Sequence, residues 1–186
     1  MEKHISESTA AYSSRLPRIA LFAGSFDPFT IGHADIVRRA LSLFDRLVIV
    51  VAVNPEKRHM FTVEERVQAI SDLYRDDDRV DVMAHEGLMA DLARQVGARF
   101  IVRGVRSVID FEYEKMAAEY NERLGGLETV LLYSSPALAS VSSTAYRQLV
   151  FFHKDAEAAA LLPSPGRPTA HAATGASCMP FGPTTR

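Results

Sequence analysis

The chain carries one cysteine in 186 residues, Cys178, so no internal disulfide can form. No metal-ligand spacing surrounds it either, so neither disulfides nor structural zinc can hold this fold together. Long apolar runs are also missing. The longest, 47–53, has seven residues between Arg46 and Asn54, far short of the roughly 20 needed to cross a bilayer. It reads as a core strand. There is no excess of positive charge: 21 Lys and Arg stand against 23 Asp and Glu, a formal net charge of -2. No global field then exists to attract nucleic acid, and any phosphate binding must be local. The first fifteen residues lack the apolar stretch of a secretory signal, which predicts a cytoplasmic protein.

What is present is ordinary globular usage, 47% hydrophobic and 24% charged, in a length that suits one domain. Residues 163–186 hold five of the nine prolines and three of the ten glycines, no acidic residue and no periodicity. A disordered tail is expected there and a flexible extension over 1–16, leaving 17–162 as the folded domain.

Within that span, short runs rich in Val, Ile and Phe alternate with segments of helical period, the mark of a parallel sheet covered by helices. The predicted fold class is α/β: a single Rossmann-like domain, its five-stranded parallel sheet flanked by helices on both faces. Strands are predicted at 18–23, 47–53, 80–84, 99–102 and 128–133. Ile36, Ala40, Leu43 and Phe44 share one helix face, and Val63, Val67, Ile70 and Tyr74 the next. Thr62 and Glu65 have capping-box spacing, which predicts where that second helix begins. Further helices are predicted at 88–96, 109–124 and 142–152.

In such a sheet, ligands bind beyond the C-terminal strand ends, where a strand delivers the chain to a helix N-terminus. The first junction of this kind is G-S-F-D-P-F-T-I-G-H, Gly24 to His33. Gly24 permits close backbone approach, Asp27-Pro28 forces a turn, and Gly32-His33 opens a helix with unpaired N–H groups. That geometry suits a phosphate, to which His33 and Ser25 add donors. A tight turn before a surface histidine would explain the Gly-His pair alone, but not the ten-residue block. Arg103 and Arg106 flank Gly104 after the fourth predicted strand and can present two guanidinium forks. Lys57 follows the second strand as a mobile cation, with Arg58 the competing choice. Asp110, Glu112 and Glu114 have the plain reading of acidic enrichment in a first helical turn. Ser142-Ser143-Thr144 reads as an N-cap cluster, and Leu88 and Met89 as core.

The T-x-G-H element at Thr30 to His33 resembles the nucleotidyltransferase superfamily. M-F-T-V-E-E-R at Met60 to Arg66, R-G-V-R at Arg103 to Arg106 and D-F-E-Y-E at Asp110 to Glu114 narrow the resemblance to the bacterial phosphopantetheine adenylyltransferase family. It covers about residues 18–149. What it implies is transfer of the adenylyl group of ATP to 4′-phosphopantetheine, yielding dephospho-coenzyme A and pyrophosphate, with Mg²⁺ as cofactor and no metal held by a dedicated protein site. It implies His33, Lys57 and Arg103 as catalytic residues, and it selects Lys57 over Arg58. ATP would be bound by Gly24, Ser25, Phe26, His33, Gly104 and Arg106, with Asp110, Glu114, Ser142, Ser143 and Thr144. The acceptor would be bound by Ser25, Lys57, Leu88, Met89, Arg103 and Asn121. The resemblance also implies a hexamer, and neither a nucleic-acid nor a membrane partner.

The sequence departs from the family late in the chain. Pro136-Ala137-Leu138 stands where a lysine or aromatic is frequent, Gln148 replaces an acidic residue, and His153-Lys154-Asp155 replaces a glycine-containing segment. Nicotinate-mononucleotide adenylyltransferase shares the G-x-F-x-P and G-H elements but not the later motifs. A class I aminoacyl-tRNA synthetase fragment would need a K-M-S-K-S-like loop and a basic face, both absent. A catalytically silent nucleotide-binding module is the remaining alternative of a different class.

Overall fold

A computed structural model describes residues 16–164. Cys178 and the greater part of the extension and tail expected at 1–16 and 163–186 lie outside them. Five strands, β1 (Ile19–Gly24), β2 (Arg46–Ala52), β3 (Val80–His85), β4 (Phe100–Val105) and β5 (Glu128–Tyr133), pair in the order β3-β2-β1-β4-β5, all parallel. The helices between them are α1 (Ile31–Ala40), α2 (Val63–Leu73), α3 (Met89–Val96) and α4 (Val108–Gly125). A short 3₁₀ turn (Pro136–Leu138), α5 (Ser143–Phe151) and α6 (Asp155–Ala159) follow β5.

The apolar runs are continuous because both sheet faces are covered and side chains alternate between them. From β1, Ala20 and Phe22 join Ile36, Val37, Ala40 and Ile70 on the side of α1 and α2. Leu21 and Ala23 join Leu92, Ala93 and Leu127 on the other. Phe22 is in register with Ile49 on one side and Val102 on the other, which puts β1 at the centre.

The capping box at α2 forms as expected. Thr62 Oγ1 accepts the Glu65 N–H at 3.2 Å and Glu65 Oε2 accepts the Thr62 N–H at 2.8 Å. Leu43 departs from its expected place. It follows the end of α1, where the helical period no longer applies, and is 42% exposed. The two families of strands diverge from β1, since β2 and β3 build to one side and β4 and β5 to the other. A crevice opens between the C-terminal ends of β1 and β4, the switch point of the topology.

Candidate active site

Beyond Gly24 the chain turns through Phe26, whose φ of 47 lies in the left-handed region that an aromatic residue rarely enters. That conformation folds the ring back over Gly24. A Cβ there would stand 2.9 Å from Phe26 Cε1, so only glycine permits the contact. The Phe26 ring meets His33 edge-on with centroids 5.1 Å apart, and Phe29 lies 5.3 Å away.

His33 occupies the third position of α1. The Thr30 backbone N–H donates to His33 Nδ1 at 3.0 Å, and Thr30 Oγ1 lies at 3.0 Å from the same atom. A nitrogen that accepts from a backbone amide carries no proton, so the neutral ring holds its proton on Nε2. Burial, followed by the charges of Arg106 and Arg103, pushes the His33 pKa down to about 4. The imidazole is thus a fixed neutral donor whose one lone pair is engaged by the Thr30 amide.

Arg103 extends from β4. Its Nε and Nη2 donate to the two oxygens of Glu114 at 2.7 Å each, and its Nη1 donates to the Ala23 carbonyl. Arg106 donates from its backbone N–H and its Nε to Asp110 Oδ2, at 3.0 and 3.2 Å. Burial alone would raise the Asp110 pKa, but those bonds and the Arg106 charge outweigh it and hold the carboxyl below its usual range. At α5, Ser142 caps the helix by accepting the Ala145 N–H at 3.0 Å, and Ser143 Oγ donates to the Pro28 carbonyl at 2.8 Å.

These elements enclose a cavity of about 330 Å³. From the first junction, Gly24, Ser25, Phe26 and His33 line it; from β4 and α4, Arg103, Gly104, Arg106 and Glu114; from the start of α5, Ser142, Ser143 and Thr144. Five of the sequence-derived residues stand elsewhere. Lys57 is exposed in the β2–α2 loop, and Asp110 sits behind Arg106. Leu88 precedes α3 and is 54% exposed, so it is not core, whereas Met89 packs against the second apolar cluster. Asn121, near the end of α4, accepts the Leu127 N–H at its carbonyl.

One charged lining residue is absent from the sequence-derived set. Arg147 donates to the Asp27 carbonyl at 2.7 Å and to Thr144 Oγ1 at 3.2 Å, adding a third guanidinium to the cavity. Its spacing of three from Thr144 puts both on one helix face, the signal that could have found it. The chain's net charge is -2, yet three arginines face one carboxylate in this cavity. Positive charge is thus concentrated locally, at the cavity.

The parallel sheet carries a donor-lined cavity at its switch point, and the Cytidylyltransferase-like family profile, which matches residues 21–149, makes the chain a nucleotidyltransferase. The phosphopantetheine adenylyltransferase of Bacteroides thetaiotaomicron is 48% identical over 138 residues, 74% of this chain and 91% of its own length. That of Phocaeicola vulgatus is 50% identical with the same coverage, and that of Thermotoga neapolitana 41%, over 74% of this chain and 86% of its own. The chain belongs to the phosphopantetheine adenylyltransferase family. Among solved structures, a bifunctional NMN adenylyltransferase/ADP ribose pyrophosphatase from Francisella tularensis shares the fold, with a TM-score of 0.56 and 19% identity. That match covers 74% of this chain and 43% of the other.

Proposed function

We propose that this chain transfers the adenylyl group of ATP to 4′-phosphopantetheine, giving dephospho-coenzyme A and pyrophosphate. The observation that carries the site reading is His33, a neutral Nε2–H donor that lines one cavity with Arg103 and Arg106 at the sheet's switch point. A base would be superfluous here. The acceptor phosphate is already anionic, so one of its oxygens can bond to the α-phosphorus without losing a proton. The bond from that phosphorus to the bridging oxygen breaks, and pyrophosphate leaves with the electron pair. The protein's work is alignment and stabilisation of charge on the equatorial and leaving oxygens.

In this reading His33 donates to the α-phosphate, Arg103 serves the acceptor phosphate and Lys57 reaches the transition state from its loop. Arg106, Arg147 and the α5 N-terminus with Ser142, Ser143 and Thr144 hold the polyphosphate. Gly24, Ser25, Phe26 and Gly104 bring backbone close to the nucleotide. Asp110 acts on the nucleotide side by orienting Arg106, Glu114 lines the nucleotide cavity while it also holds Arg103, and Leu88, Met89 and Asn121 receive the pantetheine arm.

Mg²⁺ fits as an ion carried by the triphosphate. Among the described residues no cluster of three His, Cys, Asp or Glu could hold a metal, and the one carboxylate lining the cavity is committed to Arg103. Phosphate oxygens and water would supply its ligands. When bound, it neutralises charge on the phosphates.

The family's hexameric assembly and a cytoplasmic location complete the proposal. Helix α4 has no buried residue and exposes Val108, Ile109, Tyr113, Met116 and Tyr120, an apolar surface suited to a second copy. No described helix is long and apolar enough to cross a membrane. Pyrophosphate release with ATP and phosphopantetheine, beside nicotinate mononucleotide as the competing acceptor, tests the reading. Turnover confined to nicotinate mononucleotide, or absent with both, would refute it.

A further inference from the structure

Asp27 takes no part in the reaction as proposed, yet its carboxylate is buried, with the residue only 3% exposed. A carboxylate leaves water only where other donors replace it. Here Oδ1 accepts the Phe61 N–H and Oδ2 the Met60 N–H, each at 2.9 Å. Arg147 Nη1 and His59 Nδ1 stand 3.8 and 3.7 Å from Oδ2. The two amides close the β2–α2 loop, residues 53–62, which carries Lys57.

At the same end the Phe61 ring meets that of Tyr146, with centroids 6.4 Å apart. Asn54 to Arg58 are all exposed. The far end is tied where the Val53 N–H donates to the His85 carbonyl at 2.9 Å. Between the ends, Asn54 closes a turn, accepting the Glu56 N–H on its side chain at 2.9 Å and the Lys57 N–H on its carbonyl at 3.1 Å. Lys57 therefore rides on a closed turn, three and four residues from the amides that Asp27 receives. The same junction block reaches the start of α2 once more. Buried Arg66 donates to the Ser25 carbonyl at 2.6 Å and to the Thr62 carbonyl at 3.1 Å.

We propose that Asp27 is a positioning residue for Lys57. Two consecutive amides on the two oxygens of one rigid carboxylate fix both the position and the direction of the loop end, and with it the arc that the Lys57 ammonium can sweep. The inference rests on the transition-state role proposed above for Lys57. It makes Asp27 more than the turn-former that its neighbour Pro28 suggests.

Asp27→Asn tests it with little change in volume, because the amide nitrogen would face a backbone N–H where an oxygen now accepts. In the wild-type background kcat is expected to fall by about ten- to a hundredfold, the scale of a displaced catalytic group, with KM for ATP changed less than threefold. In a Lys57→Met background, already slow, the same change should lower kcat less than twofold. A merely structural role would give equal losses in both backgrounds and would overturn the proposal. Hydrogen exchange of the Met60 and Phe61 amides gives a second measurement independent of turnover. Protection in full-length Asp27→Asn should fall at least tenfold at these two amides while α1 amides keep theirs; unchanged protection would refute the anchoring. If Lys57→Met alone left kcat at the wild-type level, the role read for Lys57 would fail, and the catalytic part of this proposal with it, whatever the exchange data showed.

Discussion

The Thr30 amide donates to His33 Nδ1 at 3.0 Å, and this bond decides what the histidine can do. It places the ring proton on Nε2 and leaves no nitrogen free to accept another. His33→Ala is therefore expected to keep the fold and lower kcat by roughly 10²- to 10³-fold, the scale for one preorganised donor. Steady-state kinetics with thermal melting checks both halves.

The lowered His33 pKa has two consequences with definite signs. The folded chain holds the ring neutral down to about pH 4, whereas the unfolded chain takes up a proton near pH 6.5. Below 6.5 the unfolded state binds more protons, so His33 makes stability fall as pH drops from about 6.5 to 4, and contributes no further change below that. Urea titrations across this window should show a steeper loss for wild type than for His33→Asn. The pH profile of kcat/KM, which reports the free enzyme, should show no inflection from His33 between pH 5.5 and 8. An inflection near 6.5 that disappears in His33→Asn would contradict the lowered pKa of His33.

Arg103 and Arg106 are held differently, and their lysine variants should separate. Arg103 makes two parallel bonds to Glu114, a geometry lysine cannot reproduce. Arg103→Lys should mainly lower kcat, and Glu114→Gln should lower it in the same direction by about tenfold through loss of one charge-assisted bond. Arg106→Lys should raise KM for ATP more than KM for phosphopantetheine. Wild-type values throughout would reduce the R-G-V-R segment to ordinary surface.

Gly24→Ala tests the turn itself. Its new Cβ would meet the Phe26 ring at 2.9 Å, and that ring is packed against His33. Overpacking of this kind typically destabilises by about 1–3 kcal/mol. Both a lower melting temperature and a lower kcat are expected, because relief of the clash moves a ring that supports His33. A stable variant with full turnover would show that the turn tolerates a side chain.

Thr62→Ala removes one half of the capping box at α2 and should lower stability by about 1 kcal/mol. Ile109→Lys with Tyr113→Lys places charge on the exposed face of α4, and sedimentation should show smaller assemblies than wild type. An unchanged oligomer would exclude that face as the contact.

Composition and periodicity alone were enough to set the α/β class, the five parallel strands and the Thr62 cap, because each depends on neighbours in sequence. Strand apolarity follows from burial on both faces, and a capping box closes within four residues. The first junction and the R-G-V-R pair were legible for the same reason, as strand ends joined to helix starts. Other features come from pairings distant in sequence. The tie between Asp27 and the amides of Met60 and Phe61, the orientation of Arg103 by the Ala23 carbonyl, and the seat of Arg147 against the Asp27 carbonyl each need a partner over thirty residues away. Leu88 looked like core by residue type and Leu43 by helical period, but each lies at or beyond a helix end, where the period no longer says which way a side chain points. Which residue types the chain offers to phosphate was written locally. Which of them share one cavity, and which only hold the others in place, was decided by the order of the strands, since only that order brings β1, β4 and α5 to the same crevice.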